Sequence, residues 1–305
     1  MPDLHALRPI SSLMLAVVLV CGGHATALAR TVDCGTSFSG DAALAGSCVG
    51  DIVVRGGSLN LAGHTVRGTV QCDADYCEIY SDPPNGNVTG FGAGGSVGIR
   101  AGAGAADGAG SVAVDGVIVS GFGTGVAGAN VQLSNSLVAG NLAYGVDAYV
   151  GIEAVSSIIS INGGGGLHAR MGGVSVDDTQ VTENGGNGVR ALEGVIVTGS
   201  TIADNAGDGV QNFSAPAIVV DSTVTGNGGH GVRSDDSDCF PADDLDLVNT
   251  VVTGNGLGDD CGETRACADV VACNPPLLRR GTSCDTSYQM MSGLPGMNWQ
   301  ACALD

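Results

Sequence analysis

A two-residue step, a glycine followed by an apolar residue, returns along the middle of the chain at Gly125-Val126, Gly145-Val146, Gly166-Leu167, Gly188-Val189, Gly209-Val210 and Gly231-Val232. The spacings are 20, 21, 22, 21 and 22 residues. Four residues before each of the last five glycines stands an asparagine: Asn141, Asn162, Asn184, Asn205 and Asn227. Asn255 opens a further, imperfect copy. A period of this length marks a repeat architecture, in which each unit buries its apolar residues against its neighbours.

Within each copy the residues fall into columns. Counting back from the asparagines, the third residue is β-branched in every copy, from Val138 through Val181 to Val252. The fifth is Ser or Thr, from Ser136 through Thr179 to Thr250. Eight and ten residues back run two more mostly apolar columns, Leu133 to Leu247 and Val131 to Leu245. Alternation at period two means strands with one face buried, and β-branched residues suit the pleat. About 21 residues leave no room for three strands plus crossover helices. Each repeat is therefore one coil of a solenoid, every strand pairing in parallel with its copy in the next coil. Helical repeats fit less well, because 52 glycines and β-branched columns disfavour helix. Asn and Gly are expected at the corners, where they tolerate left-handed backbone and where stacked amides can hydrogen-bond from coil to coil.

The copies from about Val112 to Asn255 resemble the right-handed parallel β-helix repeat proteins of the pectin-lyase-like superfamily, and Ser58 to Gly68, "SLNLAGHTVRG", is similar to the coil that commonly opens such domains. The resemblance implies an all-β, single-stranded right-handed parallel β-helix with coils of about 21–22 residues; handedness comes from it alone. That superfamily hosts lyases, hydrolases, epimerases and adhesins, so the fold does not name an activity.

The first 29 residues, with Arg8, an apolar run from Ile10 to Cys21 and Ala27-Leu28-Ala29, read as a secretory signal too short to span a bilayer. Lipidation of Cys21 is disfavoured by Val20 just before it. Of eleven cysteines ten then remain, clustered at the two ends, which predicts disulfide-tied ends in an exported protein. The expected organisation is signal 1–29, N-terminal cap and first coils 30–80, repeats 81–260 and a cysteine-rich cap 261–305 that includes Trp299. The segment Gly102 to Gly110 reads as a loop between coils. A net charge of −20, with arginine as the sole basic residue type, argues against nucleic-acid or anionic-membrane partners and excludes Schiff-base lysine chemistry. The expected location is secreted or cell-surface, with no transmembrane segment.

Chemistry is sought on the outward columns. The residue after each Gly-apolar step gives Arg100, Ala127, Asp147, His168, Arg190, Gln211 and Arg233; two residues further on stand Tyr149, Arg170, Leu192, Phe213 and Asp235. Arginine forks suit carboxylates and rings suit the apolar faces of sugars, so Arg100, Arg170, Arg190, Gln211, Phe213 and Arg233 are candidate ligand-binding residues for a polysaccharide, and an acidic one in particular. Balancing charges on a solvated wall is the bland alternative. The strand holding Ile158, Gln180 and Thr201 exposes no charge.

The stretch Tyr144-Gly145-Val146-Asp147-Ala148-Tyr149 resembles the Tyr-Gly-x-Asp-x-His of alginate C5-epimerases, with Tyr149 where the family has histidine and His168 one coil away. The resemblance implies a candidate catalytic set of Tyr144, Asp147, Tyr149 and His168, with Arg170 or Arg190 steadying a uronate carboxylate. Gly229-His230-Gly231 is similar to a polygalacturonase motif, but the Asn-Thr-Asp and Arg-x-Lys of those enzymes are missing, so His230 reads as a corner residue. Asp235, Asp236, Asp238, Asp243, Asp244 and Asp246, near Asp259 and Asp260, make Ca2+ a candidate ion without any recognised calcium-loop spacing. No CxxC or His-x-His supplies zinc spacing, and Asn87 and Asn212 open glycosylation sequons. Two functions follow: an exported carbohydrate-binding protein or surface scaffold, or a lyase or C5-epimerase of uronate polysaccharides.

Overall fold

The computed structural model describes residues 30–92, 94–102, 110–234 and 245–256, together with the backbone of Val270–Ala272, Leu277–Leu278, Ser283–Cys284 and Gln289–Met290. The signal segment, Trp299, residues 103–109 and Cys239, Cys261, Cys267, Cys273 and Cys302 lie outside the described residues.

Among the described residues there is no helix; every element is a short strand, and every strand pairs in parallel with the equivalent strand of the next coil. Three strands per coil build a right-handed solenoid with three faces. Face one carries the Gly-apolar step, as in Leu167–Ala169, Val189–Ala191 and Val210–Asn212. Face two follows, as in Val174–Asp177 and Val195–Thr198. Face three is a sheet of eleven strands and includes Gln180–Thr182 and Thr201–Ala203. Faces one and two merge where Thr124–Ser134 and Val146–Val155 run round their shared corner without a break. The ladder begins at Arg30–Val32, paired to Ala42–Leu44.

The interior is the set of inward columns. Val138, Ile159, Val181, Ile202, Val224 and Val252 are fully buried in register on face three, and the two columns of face two are buried beside them. Two polar ladders run between these columns. The amide Nδ2 of Asn141 donates to Oδ1 of Asn162, and the relay continues through Asn184, Asn205 and Asn227 to Asn255 at 2.8–2.9 Å. Each acceptor Oδ1 also takes the backbone N–H of the asparagine before it, as from Asn184 to Asn205 at 3.1 Å. In the second ladder the backbone N–H of Ser157 donates to Thr179 Oγ1 and that of Thr179 to Ser200 Oγ. The side chains of both ladders are thereby paired, with their copies or with nearby backbone carbonyls.

The corner chemistry differs from the expectation in one respect. The left-handed residues are those just before each ladder: Gly140, Ile161, Glu183, Asp204, Gly226 and Gly254 before the asparagines, and Asn135, Ser156, Asp178, Gly199, Asp221 and Asn249 before the hydroxyls. The ladder asparagines are selected for their amides instead. Glycine in the Gly-apolar step answers to close approach: a Cβ on Gly188 would lie 2.7 Å from Gly209 O and 2.8 Å from both Asn205 Nδ2 and Ile202 Cγ2. The repeated glycine and the repeated asparagine are one constraint, because the backbone of one coil rests on the amide of the next.

Cys34–Cys48 and Cys72–Cys77 are disulfides, with Cα atoms 5.6 and 5.9 Å apart. Both belong to the N-terminal coils.

Candidate functional site

The outward column of face one forms in the expected register, from Arg100 through Ala127, Asp147, His168, Arg190 and Gln211 to Arg233. Gln211 departs from the expected exposure: it is 9% exposed, and its Oε1 accepts from Asn187 Nδ2 at 2.7 Å. The residue that precedes each Gly-apolar step reaches sideways along the corner, so an amide there draws the next coil's side chain down.

Asp147, His168, Arg170 and Tyr144 come together. Arg170 Nε donates to Asp147 Oδ1 at 2.9 Å and its Nη2 donates to Oδ2, a bidentate fork across adjacent coils. His168 Nδ1 lies 3.2 Å from the same Oδ1, within ion-pair distance but without hydrogen-bond geometry. The Tyr144 ring stacks on His168 with centroids 4.8 Å apart. That stack depends on a missing side chain. Gly165 occupies the position filled elsewhere by Thr124, Tyr144, Asn187, Asp208 and His230, and a Cβ on it would sit 3.2 Å from two ring carbons of Tyr144.

Burial raises the Asp147 carboxyl, but the contacts with His168 and Arg170, with their charges, outweigh it and hold the group below its ordinary value. The hydrogen bond to Asp147 in turn raises Arg170. The carboxylate lies beside Nδ1 and leaves Nε2 on the opposite edge of the ring. Such a histidine, backed by a carboxylate and flanked by a phenol, is equipped to move a proton.

Tyr149 is not in this group. It stands 38% exposed at the corner between faces one and two, and no side-chain hydrogen bond or ring contact joins it to the other three. Arg170 takes the place that the sequence reading gave to Tyr149. Arg170 is legible in the sequence as a neighbour in the next outward column; the seating of Tyr144 beside Gly165 depends on side-chain reach and is not.

Further along, the Arg190 guanidinium lies 5.1 Å from the centre of the Phe213 ring, a cation–π contact between coils. Arg233 Nη1 is 3.8 Å from Asp208 Oδ2, and Asp208 Oδ1 accepts the His230 N–H at 2.7 Å. His230 thus sits in the corner stack. Among the described residues of the column, Arg100 and Arg190 are the arginines outside any ion pair.

For calcium, Asp235, Asp236, Asp238, Asp243, Asp244, Asp259 and Asp260 lie outside the described residues, and Asp246 registers against Ile218 on face two. Among the described residues the one grouping of possible ligand atoms is Asp33, Cys34 and Cys48, whose two sulfurs form a disulfide. A hard cation seeking six or more oxygens finds no fit there. Asn212 of the second sequon is wholly buried in the column that holds Ala169 and Ala191, so the folded chain offers no glycan acceptor at that position.

No helix among the described residues is long and apolar enough to cross a membrane. The family model described as right handed beta helix region matches residues 150–263. No curated protein matches the chain. Among solved structures it is similar to one described as the crystal structure of pectate lyase Pel9A, at 12% identity and a TM-score of 0.48, over 79% of this chain and 68% of that one. Its coils, ladders and inward columns give the chain the fold of a right-handed parallel β-helix, and residues 150–263 match the model of that region.

Proposed function

We propose that the chain is an exported carbohydrate-binding β-helix protein and that face one receives a uronate-bearing polysaccharide lengthwise. The observation that carries this reading is a continuous outward strip over four successive coils: the Tyr144–His168 stack, the Asp147–Arg170 fork and the Arg190–Phe213 pair. Coils spaced about 4.8 Å apart set ring faces and guanidinium groups at sugar-sized intervals. The two disulfides agree with an oxidising compartment.

Charge alone does not hold such a ligand. Arg170 is matched by Asp147 and Arg233 faces Asp208, so the strip between Asp147 and Arg233 carries a net of one positive charge, three arginines against two aspartates. Binding then rests on Arg190 and on the rings. The test is affinity electrophoresis or calorimetry on alginate, pectate, glycosaminoglycans and a neutral glucan. Arg190→Ala with Phe213→Ala should weaken the uronate polymers by roughly tenfold or more, at about 1 kcal/mol for each of two contacts. Affinity unchanged by that pair, or highest for the neutral glucan, sinks the reading.

The Asp147-backed His168 under the Tyr144 ring favours a second reading, proton abstraction from a uronate carbon as in a lyase or C5-epimerase. Ultraviolet absorbance of unsaturated product, and NMR of epimerised residues, would reveal it. His168→Ala should abolish any such turnover while circular dichroism stays β-rich; turnover that survives removes His168 from the chemistry.

A further inference from the structure

Among the described residues, the outward column of face one carries arginines outside any ion pair at two places, Arg100 and Arg190. The Arg190 guanidinium lies against the Phe213 ring, a contact that leaves its charge unmatched. What stands between the two arginines projects little. Ala127 has no side chain beyond Cβ, and the side chains of Asp147 and His168 are 11% and 17% exposed, where the Arg170 fork and the Tyr144 ring lie against them. A long cationic side chain, itself partly exposed, therefore bounds each end of a run of three short or covered ones.

Strand register fixes the distance between these ends. Arg100 pairs with Ala127, Ala127 with Asp147, Asp147 with His168 and His168 with Arg190, so the two arginines are four coils apart, about 19 Å at about 4.8 Å per coil. One sugar of an extended chain advances by about one coil. Carboxylates that reach both guanidinium groups therefore belong to sugars about four places apart, the two ends of a stretch of about five.

We propose that Arg100 and Arg190 are the two anchors of a length-selective site, which holds uronate chains of about five sugars or more in preference to shorter ones. The inference rests on face one being a polyuronate surface, and adds to that reading a second anchor and a length. A short chain reaches one anchor at a time. A chain that spans both makes its second contact within the complex already formed by the first, at a high effective concentration. Against the repulsion of a protein of net charge −20, one exposed arginine holds a polyanion weakly, so the second anchor decides which chains stay. A chain held in this way lays an interior sugar against His168, one coil from Arg190.

Calorimetry on the full chain with alginate and pectate oligomers, graded from dimer to octamer, tests this. Affinity should rise gently up to the tetramer, as more registers become available, and then step up by about fivefold at the pentamer, the worth of one exposed arginine contact. Arg100→Ala repeats at this position what the next coil has at Ala127, so the fold tolerates it. It should remove the step, with dimer to tetramer losing at most about twofold. Adding Ala127→Arg to Arg100→Ala brings the second anchor one coil nearer and should move the step to the tetramer. A smooth length dependence in the parent, a step that survives Arg100→Ala, or one that stays at the pentamer in the double variant overturns the proposal while leaving uronate binding at Arg190 intact. Failure of every uronate oligomer and polymer to bind overturns both.

Discussion

Asp147 is tied by three contacts to two residues of the next coil, and its protonation is a lever on that part of the solenoid. Its carboxyl is held below the ordinary value in the folded chain, so the folded state binds the proton less readily than the unfolded one. The stability it contributes is complete above the ordinary carboxylate value of ~4 and is lost as pH falls through the lower folded value. Asp147→Asn should therefore destabilise the protein at neutral pH by about 1 kcal/mol, because Arg170 is largely solvated. The gap between parent and variant should close in acid below about pH 4. Denaturant midpoints measured at pH 7 and pH 3 check this, and an equal gap at both would show that the fork is not an ionic contact in solution.

A ladder asparagine does its work as a member of a series. Asn184 Nδ2 donates to Asn205 Oδ1 and to Ile159 O, while its own Oδ1 accepts from Nδ2 and the backbone N–H of Asn162. Asn184→Ala leaves buried donors on one side and a buried acceptor on the other, at about 1–3 kcal/mol for each group left unpaired. A loss of at least about 3 kcal/mol in a urea melt is expected, against no more than about 0.5 kcal/mol for an exposed neighbour such as Gln180→Ala. The strands themselves were legible in the sequence, because period-two alternation and 21-residue recurrence leave one way to bury Val138, Ile159 and Val181 together. The left-handed corners were less so. Ile161, Glu183 and Asp204 share φ near 56° and no side-chain chemistry, so only the backbone marks that column. The candidate site was half legible: register placed Asp147 beside His168, but the packing of Tyr144 over Gly165 is a matter of side-chain reach, which spacing does not encode.

At the scale of the whole molecule, reinforcement is uneven. The described disulfides tie only the N-terminal coils, whereas the coils between Asn141 and Asn227, which contain no cysteine, rely on ladders and apolar columns. In a solenoid each coil supports only its neighbours, so local opening follows local reinforcement. Reduction should lower hydrogen-exchange protection first in residues 30–80 and leave Ile159, Val181 and Ile202 slow; uniform loss along the chain would show that the solenoid opens as one unit. The asparagine relay also gives this body a direction. Its five side-chain bonds all run the same way, each Nδ2 pointing towards the C-terminal neighbour. Side-chain dipoles aligned in this manner polarise one another. The stack therefore has an accepting end, where Asn141 Oδ1 takes the Phe122 N–H, and a donating end at Asn255, so a further coil would lengthen it by joining head to tail and never tail to tail.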